Sequence, residues 1–197
     1  LKLEQYAKVY QGLVLSRFQT MPGTDAVAFS LYTMKEMSDS LGFEYHGSTE
    51  KLKETHISKE KANELPITKK GMVLINLTSH RAVSVRLEHE GLLVPSNFAV
   101  IVPDERLDAL YLEWYINEHP SCRKQLRLAT QGAVIGSLSI QMLRGLSIES
   151  PSLQQQYTMR NVYMSVQKKK KLLNERVELE EKLAKHLLLQ SLKEEIK

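Results

Sequence analysis

From Ser152 to Lys197 the chain runs for 46 residues without a glycine or a proline, directly after its last proline, Pro151. Ser152 followed by Gln155 is the S-x-x-Q pattern of a capping box, which satisfies unpaired backbone donors at a helix start. Within this stretch Val162, Val166, Leu173, Val177, Ala184 and Leu188 recur at helical spacing, and Leu172, Leu179, Leu183 and Leu187 fill the adjacent stripe. The spacing predicts one amphipathic helix whose apolar band is wider than a two-position seam. At 1.5 Å per residue it would extend roughly 70 Å, beyond the diameter of a domain made from the preceding 150 residues. Much of the band therefore needs a partner outside that domain. The competing reading is a helix folded back on its own domain or broken into a hairpin, although no Gly-Pro turn signal marks where it would break. The run Lys168 to Lys171 is either a phosphate contact or a solvated charge cluster on an exposed face.

The first 150 residues read as mixed α and β with many short elements. Val27, Phe29 and Leu31 alternate as in a half-buried strand. Lys69-Lys70-Gly71 turns the chain into "MVLINLT", and "AVSVRL" follows after Ser79 to Arg81, which predicts two strands flanking a tight polar connection. "LLVPSNFAVIV" is a further extended passage broken by a turn at Pro95-Ser96-Asn97. Leu107, Leu110, Tyr111, Trp114 and Tyr115 then fall at helical spacing, closed by Asn117 to Pro120, and a second short helix is expected over Ser121 to Leu128. "TQGAVIGSLSIQML" reads as a loop leading to a short helix, with Gly132 and Gly136 permitting backbone shapes that other residues resist. The expected organisation is one domain over 1–150 and a helical appendage over 151–197.

Composition narrows the function. Hydrophobic content of 42% suffices for a core, and no stretch approaches the roughly 18 to 20 apolar residues of a membrane span. Cys122 is the only cysteine, which suits a reducing cytoplasm. The first residue, Leu1, leaves the natural length open. The formal charge is +4, yet residues 1–150 hold 17 basic against 17 acidic side chains and residues 151–197 hold 10 against 6. A DNA-binding first domain would have to concentrate its bases locally.

The parts of a catalytic site are largely missing. There is no G-x-G-x-x-G, no phosphate-loop lysine and no N-P-P-Y-like tetrapeptide. Pro103-Asp104 lacks the E-x-K that would complete a nuclease motif. His46, His56, His80, His89, His119 and His186 form no ligand pair at helical spacing. The chain is read as a non-enzyme with no metal site and no cofactor of its own.

The order of features resembles one half of a specificity subunit of type I restriction-modification systems. The resemblance is carried by "YAKVYQGL", by "LPITKKGMVLINLTSHRAVSV" and by "VPSNFAVIVPD" followed by "LDALYLEWYINE". Most telling is "ATQGAVIGSLSIQMLRGLSIESPSLQQQ", similar to that family's glycine-centred loop, short helix, strand, "P-P-L-x-x-Q" and long spacer helix. Met72 stands where an aspartate is common, and Ser152 replaces the second proline. The resemblance implies an α+β fold, a mixed target-recognition domain followed by one long spacer helix that forms an antiparallel coiled coil with a partner. It also implies recognition without chemistry.

The implied partners are double-stranded DNA, a methyltransferase subunit that uses S-adenosylmethionine, a motor-nuclease subunit, and a second copy joined through residues 153–197. The candidate base-reading loop is Thr78, Ser79, His80 and Arg81. Candidate phosphate contacts are Lys69 and Lys70, with Lys51, Lys53, Lys59 and Lys61 before them; Thr130 and Gln131 sit beside the glycine loop. Val162, Val166, Leu172, Leu173, Val177, Leu179, Leu183, Leu187 and Leu188 are the candidate dimerisation and docking residues. Two other readings stay open at this point: a helical protein-interaction module, and the recognition end of a fused restriction-methyltransferase polypeptide.

Overall fold

Runs such as "VLIN" and "FAVIV" carry apolar residues at consecutive positions, so as strands they need cover on both faces. The computed structural model, which describes residues 1–43, 45, 54–131 and 136–194, provides that cover. Its strands and α-helices follow in the order β1 (Ala7–Gln11), β2 (Ala26–Ser30), α1 (Met34–Leu41), β3 (Glu54–Ser58), β4 (Val73–Asn76), β5 (Ala82–Ser84), β6 (Phe98–Pro103), α2 (Ala109–Glu118), α3 (Pro120–Thr130), α4 (Ile140–Arg144) and α5 (Leu153–Glu194). The fold is α+β, with a sheet and a long C-terminal helix.

Strands β1, β6, β4 and β5 form an antiparallel sheet in that order. Because side chains alternate across a sheet, Val73, Ile75, Ala99 and Ile101 point to one face and pack with Leu112, Ile116, Cys122, Leu126 and Leu143 of α2, α3 and α4. Leu74, Val83, Phe98 and Val100 point to the other and pack with Tyr32 and Met37. A separate ribbon pairs β2 with β3, placing Val27 opposite Ile57 and Phe29 opposite Thr55. It joins the sheet side through Leu93, whose N–H donates to Ser30 O while its carbonyl accepts from Tyr32 N. Gly12 lies so close to the turn after Val94 that a Cβ there would stand 2.2 Å from Pro95 O, so the crossing excludes any side chain.

Sheet edges need cover, because their outward N–H and C=O groups otherwise pair with other chains or stay unsatisfied. At β5 the cover comes from α2. Asn117 Oδ1 accepts from Ala82 N at 2.9 Å and its Nδ2 donates to Ala82 O at 2.7 Å, as a neighbouring strand would. One helical turn earlier Glu113 accepts from Ser84 N and Ser84 Oγ at 2.8 and 2.7 Å. At the other edge Arg144 of α4 donates to Val9 O of β1 from Nε and Nη2.

The expected C-terminal helix forms as one element of 42 residues, Leu153–Glu194, about 63 Å at 1.5 Å per residue. Its start has the reciprocal capping pattern: Gln155 N donates to Ser152 Oγ, and Ser152 N donates to Gln155 Oε1. The hairpin alternative is set aside, because the helix continues unbroken across the described residues.

Candidate nucleic-acid interface

Antiparallel register gathers four segments at one end of the sheet. Asn76, Ala82, Phe98 and Gln11 all lie at this end, so the β4–β5 connection, the Pro95–Asn97 turn and Gln11–Gly12 emerge together. Leu138 N donates to Leu77 O and Leu77 N to Asn97 O, which brings the stretch after the glycine loop beside them.

The β4–β5 tip is held by its own backbone. Asn76 Oδ1 accepts from Thr78 N and Ser79 N at 3.1 and 2.8 Å, the Asx turn that a short amide side chain forms with residues just beyond it. His80 adopts φ 56°, a left-handed shape that a non-glycine residue holds only when its surroundings impose it. The imposing contacts are Nε2 to Gly136 O at 2.8 Å and Arg123 Nη1 donating to His80 O at 3.1 Å. Thr78 and Ser79 are left exposed, and His80 and Arg81 are half-buried. The result is a preorganised polar tip able to offer donors and acceptors to a partner.

Lys69 and Lys70, two of the candidate phosphate contacts, stand away from it. Lys69 and Lys70 precede β4 whereas the tip follows it, so the two groups occupy opposite ends of that strand. Lys70 N donates to Glu90 Oε1, and the nearby backbone pairs Val85 N with Met72 O. Lys59 and Lys61 lie in the 3-10 segment Lys59–Glu64 after β3, with Lys61 over the Phe18 ring. Lys51 and Lys53 lie outside the described residues. Thr130 spends its hydroxyl on Leu126 O and Arg127 O of its own helix, and Gln131 is exposed.

Of helix α3, only the last residue, Thr130, is among the candidates that the sequence offers. Its sequence, PSCRKQLRLAT, holds three basic residues and no acidic one. Arg123 reaches the tip directly, and that one-sided charge was the signal available in the sequence.

At the far side of α2 the domain grips α5 with polar side chains. Gln156 is fully buried: its Oε1 accepts from Asp108 N, and its Nε2 donates to Arg106 O and Pro151 O. Arg160 pairs with Asp108 at 2.5 Å, and Tyr163 is buried. Burial raises the Glu113 pKa above the ordinary carboxylate value, against the opposing pull of Ser84 and Arg86. Burial, with the Glu113 charge, pushes the Tyr163 phenol up to about 12. These anchors recur at helical spacing and lie on a different stripe from the apolar band. Val162, Val166, Leu172, Leu173, Val177, Leu179, Leu183, Leu187 and Leu188 are all exposed, Leu188 to 68%. The band expected to need an outside partner is left uncovered by the chain's own domain.

An antiparallel sheet covered on both faces, with polar loops gathered at one end and a single long helix leaving the other side, defines an α+β fold. No protein-family model matches the sequence, and a search of curated proteins finds no match. Several solved structures share the fold, two of them as follows. One is from a study of complex assembly and conformational transition of the type I R-M system, with TM-score 0.55 and 14% identity over 88% of this chain. The other is the HsdS subunit from Thermoanaerobacter tengcongensis, with TM-score 0.52 and 12% identity over 90% of this chain. The chain spans about two fifths of those proteins, 39% and 38% of their lengths. The fold is therefore shared with about two fifths of the HsdS subunit.

Proposed function

We propose that this chain is a DNA sequence-recognition subunit of a type I restriction-modification system, with one target-recognition domain over residues 1–150 and one spacer helix over 151–197. The observation that carries the reading is the pairing of a preorganised polar loop end with a leucine-banded helix that its own domain leaves bare. In this account Thr78, Ser79, His80 and Arg81 face the major groove, and Arg81 takes both acceptors of a guanine. Two copies associate through the band as an antiparallel coiled coil, which gives twofold symmetry and hence an interrupted palindromic site. The stripe of Leu172, Leu179, Leu183 and Leu187 also serves to dock a methyltransferase subunit. That subunit binds S-adenosylmethionine and performs the chemistry, and a motor-nuclease subunit joins the assembly where unmodified DNA is cut. The complex works in the cytoplasm.

Mapping methylated adenines in cells that express this chain with its methyltransferase tests the proposal. A bipartite palindrome with a fixed gap is the expected result, and unchanged methylation would contradict it. The even charge of residues 1–150 favours a second reading, a protein-binding module. That reading predicts no binding to random duplexes even at low salt, where nonspecific DNA binding is strongest.

A further inference from the structure

The loop end offers hydrogen-bonding groups but little charge, and the lysines around β4 lie at its other end. A reader of duplex DNA takes most of its affinity and its register from phosphate contacts, so cations must border the tip. Helix α3 supplies them. Its buried side, Cys122 and Leu126, is fixed in the core beneath the sheet, while Lys124 and Arg127 are exposed. Arg123 and Arg127 are four residues apart and therefore neighbours on one face, and Arg123 is bonded to His80 O of the tip. Among the described residues neither Lys124 nor Arg127 is paired with a carboxylate.

We infer that α3 is the phosphate-binding element of this domain: Lys124 and Arg127 engage the DNA backbone, and Arg123, through His80, fixes the reading tip relative to that contact. The inference rests on the DNA-reading function proposed above and assigns the electrostatic part of it away from Lys69 and Lys70. A phosphate contact reports itself in salt dependence, because each neutralised phosphate releases counterions and adds about 0.9 to the slope of log K against log salt. Both α3 side chains are exposed, so their replacement leaves the core intact.

The test is fluorescence anisotropy of the full chain with a random-sequence duplex across a salt series, with thermal melts to confirm folding. The Lys124→Gln/Arg127→Gln variant is expected to bind roughly 10- to 100-fold more weakly at 0.1 M salt and to lose about 2 from the slope. The Lys69→Gln/Lys70→Gln variant is expected to match the wild type. An unchanged slope in the α3 variant overturns the inference and leaves the DNA-reading function standing. A wild-type chain that binds no duplex at low salt removes that function, and this assignment with it.

Discussion

Asn117 and Glu113 show how much of this fold turns on single side chains. Both are nearly inaccessible, and both spend their polar atoms on the outward edge of β5. Asn117→Leu would leave Ala82 N–H and C=O unpaired in the interior, a loss of roughly 1–3 kcal/mol for each orphaned group, readable as a lower urea midpoint. Glu113 behaves differently, because burial raises its pKa. The folded state then holds the proton to higher pH than the unfolded chain, so this group's contribution to stability falls as pH rises from the ordinary carboxylate range through the raised value. Glu113→Gln, which keeps an acceptor for Ser84, should remove that decline and flatten stability against pH; an unaltered profile would contradict the assignment. At the tip, Arg81→Ala should weaken binding to the methylated site's sequence by about 1–3 kcal/mol more than to random duplex. Equal losses would take Arg81 out of base readout. Thr78 to Arg81 were legible because a polar segment between two apolar runs announces a hairpin. Lys69 and Lys70 precede β4 and Thr78 to Arg81 follow it, so the two groups of candidates stand at opposite ends of one strand.

Elements with strong local chemistry were the readable ones. The β4 and β5 strands, the Pro95 turn, α2, α3 and α5 each carried a period or a breaker, and each formed where expected. Helix α1 was not read, although Thr33 and Glu36 repeat the capping logic seen at Ser152: Thr33 N donates to Glu36 Oε2 and Lys35 N to Thr33 Oγ1. Its eight residues are too short for an apolar period to stand out. For α5 the apolar period gave the helix and its bare band but not its attachment, since the domain holds it by Gln156, Arg160 and Tyr163. Gln156→Ala should leave Asp108 N–H without its acceptor and Arg106 O with only the 3.5 Å bond from Ser150 Oγ, cost about 1–3 kcal/mol, and speed amide exchange at Asp108. Unchanged exchange there would show that the attachment lies elsewhere.

Across the whole molecule these attachments make one continuous connection. The tip runs into β5, whose edge is held by Asn117 and Glu113 of α2; α5 packs against α2 and carries the band outward. Orientation of the loop end is thereby tied to the long helix. A mate covering the band would contribute at most about 1.5–3 kcal/mol per fully buried leucine or valine, against roughly 4–15 kcal/mol for the freedom lost on association. Several side chains along the helix must therefore be covered together. The most direct measurement is sedimentation equilibrium of the full chain at tens of micromolar. A mass of twice 22.6 kDa is expected, returning to the single-chain value in Leu179→Glu/Leu183→Glu. A wild-type chain that sediments at 22.6 kDa throughout that range would contradict the account.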